Sequence, residues 1–261
     1  MTDQEFRTMR AGALPLSFAM KASLGLVPTL RGIPIPIAER RDGTDLSKWN
    51  GLMNHQASLD HFIKFSYFRA SLGIGTPDSQ YTNNRIGALY PWGSYHGLLN
   101  APGGVQAAFF CAQMGGNPGC MIPVVDVEWP MKASIIKSFC LELYHQTHPA
   151  TYGMVYTSAS KWAEVIGDAD KLWIANHCPL WVAHWGTTRP IMPTFFGSYD
   201  VHQHSAEGNR LGAMYGAPPE GDNDMDLNWC AQAFIDQYSP PTTLEQRVSE
   251  LEERVTALEG A

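Results

Sequence analysis

Two acidic residues, Asp126 and Glu128, lie one valine apart within the apolar stretch 121–129. The stretch is rich in β-branched residues and bounded by Gly119 and Pro130, a pattern that predicts a buried strand. Because side chains alternate across a strand, both carboxylates are expected on the same face. Two close carboxylates repel each other, so one keeps its proton at neutral pH, as a general acid requires. The alternative is a pair of strand-end acids neutralised by Arg side chains or backbone N–H groups.

The elements around this pair alternate between short strand-like runs and helical runs from Gly43 onward, as in βα units around a parallel sheet. The predicted strands cover residues 44–47, 65–70, 92–98, 121–129, 152–156, 180–184, 199–203 and 225–229, and the predicted helices cover 79–90, 104–114, 132–148 and 159–166. Five βα units followed by three strands with little helix between them predict a closed α/β barrel with an irregular second half. In such barrels chemistry takes place at the carboxyl ends of the strands, where Asp45, Asp126, Glu128 and Asp226 are expected.

Charge and cysteine usage restrict the function classes. The formal net charge of -7 argues against nucleic acid as the main partner. The five cysteines are widely spaced and form no CxxC motif, which predicts isolated thiols and synthesis in a reducing compartment. We expect neither a metal nor another cofactor. A metal hydrolase based on His202 and His204, or on His145 and His148, is disfavoured because no HExxH motif is present.

The two ends of the chain differ from its middle. Residues 1–42 are predicted to form an arm, with an extended Ile-Pro repeat at 33–37. The arm lacks the pattern of a secretory signal, and no apolar run approaches the length of a membrane-spanning helix. After a barrel domain over 43–238, residues 239–243 form a linker, and apolar residues recur at heptad spacing over 244–258. The segment 244–261 is therefore predicted to be a short coiled-coil helix, or an amphipathic helix folded onto the barrel.

Five motifs give the chain a resemblance to glycoside hydrolase family 25, the Chalaropsis-type lysozymes or N-acetylmuramidases. They are DLSKWNG at 45–51, PVVDVEW at 123–129, YTSASKW at 156–162, LWVAHW at 180–185 and MDLN at 225–228, in the family's order. The resemblance covers about residues 43–236. It implies an irregular TIM-like (β/α)5(β)3 barrel without a metal. It also implies hydrolysis of the β-1,4 bond between N-acetylmuramic acid and N-acetylglucosamine in bacterial peptidoglycan.

The resemblance also implies roles for individual residues. Glu128 matches the general acid, and Asp126 matches the carboxylate that stabilises the transition state or orients the substrate's 2-acetamido group. Asp45 and Asp226 match two further acidic positions in the cleft, where they are expected to bind substrate and tune the pKa of Glu128. Sugar-contacting side chains are expected near the same mouth, with burial in the core as the alternative for each. These are Tyr67, Tyr95, Tyr156, Trp181 and His184.

Some features depart from the family pattern. Leu72 stands where many members have Glu, and the segment 206–224 is longer than usual and rich in Gly and Pro. These departures leave open a non-catalytic wall-binding or virion structural protein on the same barrel. The absence of a signal pattern and the unpaired thiols favour a phage product made in the host cytoplasm, acting on the wall or built into the virion. The segment 244–258 is predicted to mediate self-association or docking to a virion component.

Overall fold

The computed structural model describes residues 32–147, 150–206, 212–218 and 225–238. Most of the predicted arm, the linker and the heptad segment lie outside the described residues. Within the described part, no helix is both long enough and apolar enough to cross a bilayer.

Eight strands close into a barrel, and a ninth short strand extends it. The strands are β1 Arg40–Leu46, β2 Ile63–Leu72, β3 Thr76–Pro77, β4 Trp92–Gly97, β5 Val124–Asp126, β6 Met154–Ser158, β7 Leu180–Ala183, β8 Val201–Ser205 and β9 Asp226–Ala231. Hydrogen bonds join them in the order β1-β9-β8-β7-β6-β5-β4-β2, and β1 pairs with β2 to close the ring. Only β9 runs antiparallel to both of its barrel neighbours, whereas β3 folds back onto the end of β2. The predicted closed barrel with an irregular second half is confirmed.

Helices follow most of the parallel strands in the described part of the chain. They are α1 His55–Asp60, α2 Tyr81–Gly87, α3 Gly103–Met114, α4 Ala133–Gln146, α5 Ala159–Ala163, α6 Asp168–His177 and α7 Gln232–Tyr238. Short 3-10 turns cover Ile37–Glu39 and Lys48–Asn50. α6 lies between residues 166 and 180, where no helix was predicted. That helix buries only Ile174 and Lys171, and the Lys171 ammonium donates to the carbonyl of Val165, so its apolar stripe is too thin to read from sequence.

Two buried clusters divide the barrel interior from the helix layer. Val124, Met154 and Val201 belong to the interior cluster, whereas Val125 and Val127 pack with the helices. The alternation along β5 therefore turns Val124 and Asp126 inward. Glu128 lies beyond the end of this strand, so the alternation argument applies to Asp126 alone. The regular strand is shorter than predicted and ends at Asp126.

Two first-half details also shape the site. β1 begins at Arg40, three residues before the predicted domain start, because Arg40 pairs with Ala231 of β9. Helices α3 and α4 approach very closely at Gly103, where an added Cβ would clash with the carbonyl oxygen of Ile135. Because Gly103 has no side chain, α3 packs directly against the backbone of α4, the helix that follows β5 and its carboxylates.

Candidate active site

A cavity of about 410 Å³ opens where the parallel strands end. Its walls contain all four predicted carboxylates, Asp45, Asp126, Glu128 and Asp226. They come from β1, from β5 and the residues just after it, and from the start of the antiparallel strand β9. The fold therefore brings together acidic residues that are separated by up to 181 positions in the chain.

Asp126 lies in an enclosed position on the cavity wall. Its neighbours in the sheet are Gly97 on β4 and Tyr156 on β6. An added Cβ on Gly97 would lie 3.8 Å from Asp126 Oδ2, so the absence of a side chain there leaves space beside the carboxyl group. Asp126 Oδ1 is buried and has no hydrogen-bond partner among the described residues. Buried polar atoms are nearly always paired, so this oxygen is available to a ligand.

Burial and like charge raise the pKa values of both central carboxyl groups. Burial is the largest cause that raises the pKa of Asp126. The negative charges of Glu128 and Asp45 raise this pKa further, and the positive charge of Arg69 lowers it. Burial also raises the pKa of Glu128, Asp45 adds to that effect, and Lys161 opposes it. The two groups therefore do not both ionise readily near neutral pH.

Asp45 and Asp226 form a second carboxyl pair across the β1–β9 ladder. They are direct cross-strand partners and their side chains are hydrogen-bonded to each other. Burial, the Asp45 charge and this hydrogen bond together raise the pKa of Asp226 to about 10. Burial raises the pKa of Asp45 as well, but hydrogen bonds from Asn228, Gln203 and Asp226 act in the opposite direction.

Two amide side chains hold Asp45. Gln203 donates from Nε2 to Asp45 Oδ2 at 3.1 Å, and Asn228 donates from Nδ2 to the same oxygen at 2.7 Å. Both amides are buried. Neither was singled out in the sequence, although Asn228 lies in the MDLN motif two positions from Asp226 and hence on the same strand face.

Aromatic groups in turn orient these two amides. The Tyr156 hydroxyl donates to Gln203 Oε1 at 2.7 Å, and the indole N–H of Trp185 donates to the same oxygen at 3.0 Å. The indole N–H of Trp181 donates to Asn228 Oδ1 at 2.9 Å. The site therefore continues behind the carboxylates as a connected hydrogen-bond network.

Three of the five predicted sugar-contacting residues line the cavity, namely Tyr95, Tyr156 and Trp181. The other two do not. Tyr67 is fully buried, and its ring packs 4.9 Å from that of Trp181, so it belongs to the core. His184 faces a neighbouring loop, where its Nδ1 accepts a hydrogen bond from the backbone N–H of Ile191 at 2.8 Å.

The cavity also contains residues that were not singled out. Trp49 and Trp129 line it with rings that are 64% and 40% exposed, which suits stacking against a sugar. Both lie in the family motifs, which is the signal that would have found them. Arg69 is the only cation among the described residues that line the cavity, and its Nε bonds Asp78 Oδ2 at 2.9 Å. Asp78 also accepts from the backbone N–H of Lys48, which ties the Trp49 turn to β2.

Metal ligation has no candidate in the described residues. No group of three or more His, Cys, Asp or Glu side chains within them could hold a metal ion. His202 instead contacts the carbonyl oxygen of His184 through Nε2 at 2.9 Å, and His204 stacks on Trp229.

Comparison with known proteins assigns this barrel to a family. The family described as Glycosyl hydrolases family 25 matches residues 44–213, which is more than half of the chain. The chain belongs to this family. It is therefore a glycoside hydrolase of the lysozyme class, and the predicted resemblance is confirmed.

Individual relatives agree with the assignment. Over 231 residues the chain is 26% identical to lysozyme M1 of Streptomyces globisporus, a match that covers 80% of this chain and 74% of that protein. Its fold resembles the lysozyme of Streptomyces coelicolor, with a TM-score of 0.61, 23% identity and coverage of 77% and 98% of the two chains. It also resembles the CTP1L endolysin, with a TM-score of 0.62, 18% identity and coverage of 78% and 71%.

Proposed function

We propose that this family 25 member is an N-acetylmuramidase that cleaves the β-1,4 bond between N-acetylmuramic acid and N-acetylglucosamine in peptidoglycan. The observation that carries the proposal is the placement of Asp126 and Glu128 in one cavity, with burial and like charge raising the pKa of both. Glycoside hydrolysis needs one carboxylic acid that still holds its proton and one carboxylate close to it.

Glu128 acts as the general acid in this proposal. It lies beyond the end of β5 at the wall of the cavity, and its raised pKa keeps a proton available for the leaving glycosidic oxygen. Asp45 contributes to that raised pKa through its charge.

Asp126 acts on the sugar that bears the scissile bond. Its unpaired Oδ1 fits an acetamido N–H of the substrate, and such a donor would lower the pKa of Asp126. Where Asp126 and Glu128 hold one proton between them, the proton would then stay on Glu128. Asp126 then orients the acetamido group for attack on the anomeric carbon, or faces the oxocarbenium charge directly. Direct nucleophilic attack suits carboxyl groups about 5 Å apart.

Aromatic side chains would bind the glycan along the cavity. Burial and the surrounding carboxylates raise the pKa values of Tyr95 and Tyr156, so both keep their phenolic protons. Tyr95 can donate a hydrogen bond to the glycan, whereas Tyr156 already donates to Gln203 and can offer its hydroxyl oxygen as an acceptor. Trp49 and Trp129 offer exposed ring faces on the same walls. Asp45 and Asp226 complete the substrate-facing acidic set.

Glu128→Gln tests the role of the acid. Release of reducing sugar from purified peptidoglycan should fall about 10²-fold or more, since general acid catalysis contributes roughly 10²–10⁴. Asp126→Asn should reduce the release of reducing sugar by a comparable factor. Glu39→Gln is the matched control, because Glu39 is an exposed carboxylate in the 3-10 turn before β1 and does not line the cavity. Equal losses in Glu128→Gln and Glu39→Gln would refute the assignment.

A phage lysis or virion-associated role is a further part of the proposal. The five unpaired cysteines and the heptad pattern of residues 244–258 favour it, and the fold likeness to the CTP1L endolysin is compatible with it. Self-association or virion docking through residues 244–258 stays a prediction from the heptad pattern.

A further inference from the structure

The hydrogen-bond network behind the cavity restricts where the protons of the Asp45–Asp226 pair can sit. An indole N–H can only donate, so the carbonyl oxygens of Gln203 and Asn228 must face Trp185 and Trp181. The NH₂ groups of both amides then face Asp45 Oδ2. Asn and Gln orientations are otherwise ambiguous, but here the donor-only partners determine them.

This arrangement makes Asp45 Oδ2 an acceptor of two hydrogen bonds. A proton on that oxygen would point at one NH₂ group or the other and break a contact of 2.7 or 3.1 Å. Hydrogen bonds to a carboxylate favour its charged form. Among the described residues, Asp226 has no comparable set of donors, and it is hydrogen-bonded to Asp45.

We propose that Gln203 and Asn228 are positioning residues that keep Asp45 ionised, place the proton of the Asp45–Asp226 pair on Asp226, and through the Asp45 charge hold the proton on Glu128. The Asp45–Asp226 pair then carries one negative charge, on Asp45, whereas two ionised carboxylates would repel each other across the β1–β9 ladder. The part that concerns Glu128 rests on the proposed function, and the part that concerns the Asp pair does not.

Other charged and titratable groups around the cavity are compatible with this distribution. The carboxyl groups of Asp126 and Glu128 raise the pKa of Asp226, as Asp45 does. Tyr95 and Tyr156 face the same charges as neutral phenols. Arg69 acts mainly on Asp126 and Tyr95. Within the described part of the chain, the two amides are therefore the local groups that distinguish Asp45 from Asp226.

The first test measures protonation in the free protein. Carboxyl ¹³C NMR of the full chain, with ¹³C-labelled Asp, gives the protonation state of each carboxyl group as pH changes. Signals are assigned from their loss in Asp45→Asn and Asp226→Asn. We expect an ionised Asp45 and a protonated Asp226 at pH 7. In Asn228→Leu and in Gln203→Met, the Asp45 titration should move up by about 1 pH unit or more, because each variant removes a hydrogen bond to a charged group.

A milder variant protects the test against misfolding. Trp185 is 57% exposed, so its replacement by Phe should disturb the fold little. Trp185→Phe removes the indole N–H that donates to Gln203 Oε1, and the Gln203 amide is then free to rotate by 180°. The Asp45 titration should then shift in the same direction by a smaller amount. Gln106→Met is the control for loss of a buried amide, since the hydrogen bonds described for the Gln106 side chain go to Leu99, Ala101 and His96. It should leave the Asp45 titration unchanged.

The second test measures the alkaline limb of kcat/KM against pH on peptidoglycan. When Asp45 loses its charge, the pKa of Glu128 falls, so the limb should move to lower pH in Asn228→Leu, Gln203→Met and Trp185→Phe but not in Gln106→Met. A proton on Asp45 in the wild type, two ionised groups at pH 7, or an unshifted Asp45 in all three variants would overturn the inference. Complete lack of turnover would overturn the proposed function alone, because the NMR result is obtained without substrate.

Discussion

Replacement of Asp226 with Asn should stabilise the folded protein at neutral pH relative to wild type, and the gain should vanish in acid. Asp226 has a pKa of about 10 in the folded protein against an ordinary value of 3.8. Its folded-state pKa is raised, so its contribution to stability is fully present below about pH 4 and is lost as pH rises toward 10. Asn carries no titrating proton, and its contribution does not change with pH.

The size of the effect follows from the same pKa. Each pH unit above the ordinary value costs the wild type about 1.4 kcal/mol, so the interval from 3.8 to 7 gives about 4 kcal/mol. Because the carboxyl group borders an open cavity, solvent screening reduces this, and we expect about 2–4 kcal/mol. Any fixed cost of the substitution itself cancels when the variant–wild-type difference at pH 7 is compared with that at pH 4.

Urea unfolding followed by circular dichroism at several pH values measures this difference. Asp60→Asn is the matched control, because Asp60 is an exposed carboxylate on α1 and undergoes the same chemical change. The free energy of unfolding of Asp226→Asn, minus that of wild type, should rise between pH 4 and pH 7, while the control stays flat. A difference that is independent of pH, or that falls as pH rises, would refute the protonated Asp226.

Three further predictions concern packing, substrate binding and assembly. Gly103→Ala should lower the free energy of unfolding in urea by about 1–3 kcal/mol, because its Cβ would clash with a backbone oxygen of α4. Gly104→Ala is the control and should not destabilise the fold, since its Cβ would have no neighbour nearer than 3.4 Å. Equal effects of the two substitutions would contradict the close approach of the helices. Trp49→Ala should raise KM for peptidoglycan several-fold with little change in kcat, because its exposed ring lines the cavity. Ile166→Ala is the control, since Ile166 is exposed but lies outside the cavity lining, and it should change neither constant. An unchanged KM in Trp49→Ala would show that Trp49 does not bind the glycan. Truncation after Tyr238 should lower the particle mass measured by light scattering to that of one chain, and an unchanged mass per particle would exclude self-association through the heptad segment.

The sequence was sufficient to predict the barrel and its acidic pair. Asp126 and Glu128 stand out because acids are rare in a strand that is otherwise apolar, and period-2 alternation predicts them on one face. The carboxyl-end rule for barrel strands then predicted that Asp45 and Asp226 would join them. The structure places all four in the cavity.

Strand register decided what the sequence left open. Tyr67 and Tyr95 both lie on predicted strands, yet only Tyr95 lines the cavity, because Tyr67 pairs with Gly93 at a deeper level of the barrel. An irregularity in the β2–β4 register, between Arg69 and Ser71, adds to this uncertainty. Such shifts depend on tertiary pairing and leave no local signal.

The supporting residues of the site were harder to foresee. Gln203 and Asn228 carry no charge, and their role exists only because β8 and β9 place both amides against Asp45 of β1. Trp49 reaches the cavity through a 3-10 turn that is capped by Ser47. These positions result from contacts between distant segments, which hydrophobic periodicity does not encode.

Mass spectrometry of muropeptides after digestion of purified peptidoglycan with wild type and with Glu128→Gln tests the central claim most directly. A muramidase that uses Glu128 as its acid should release products with N-acetylmuramic acid at the reducing end, and the variant should release almost none. Reducing-end N-acetylglucosamine would contradict the proposed bond specificity. Equal product from wild type and variant would contradict the role of Glu128, and no product from either on several wall types would contradict peptidoglycan hydrolysis itself.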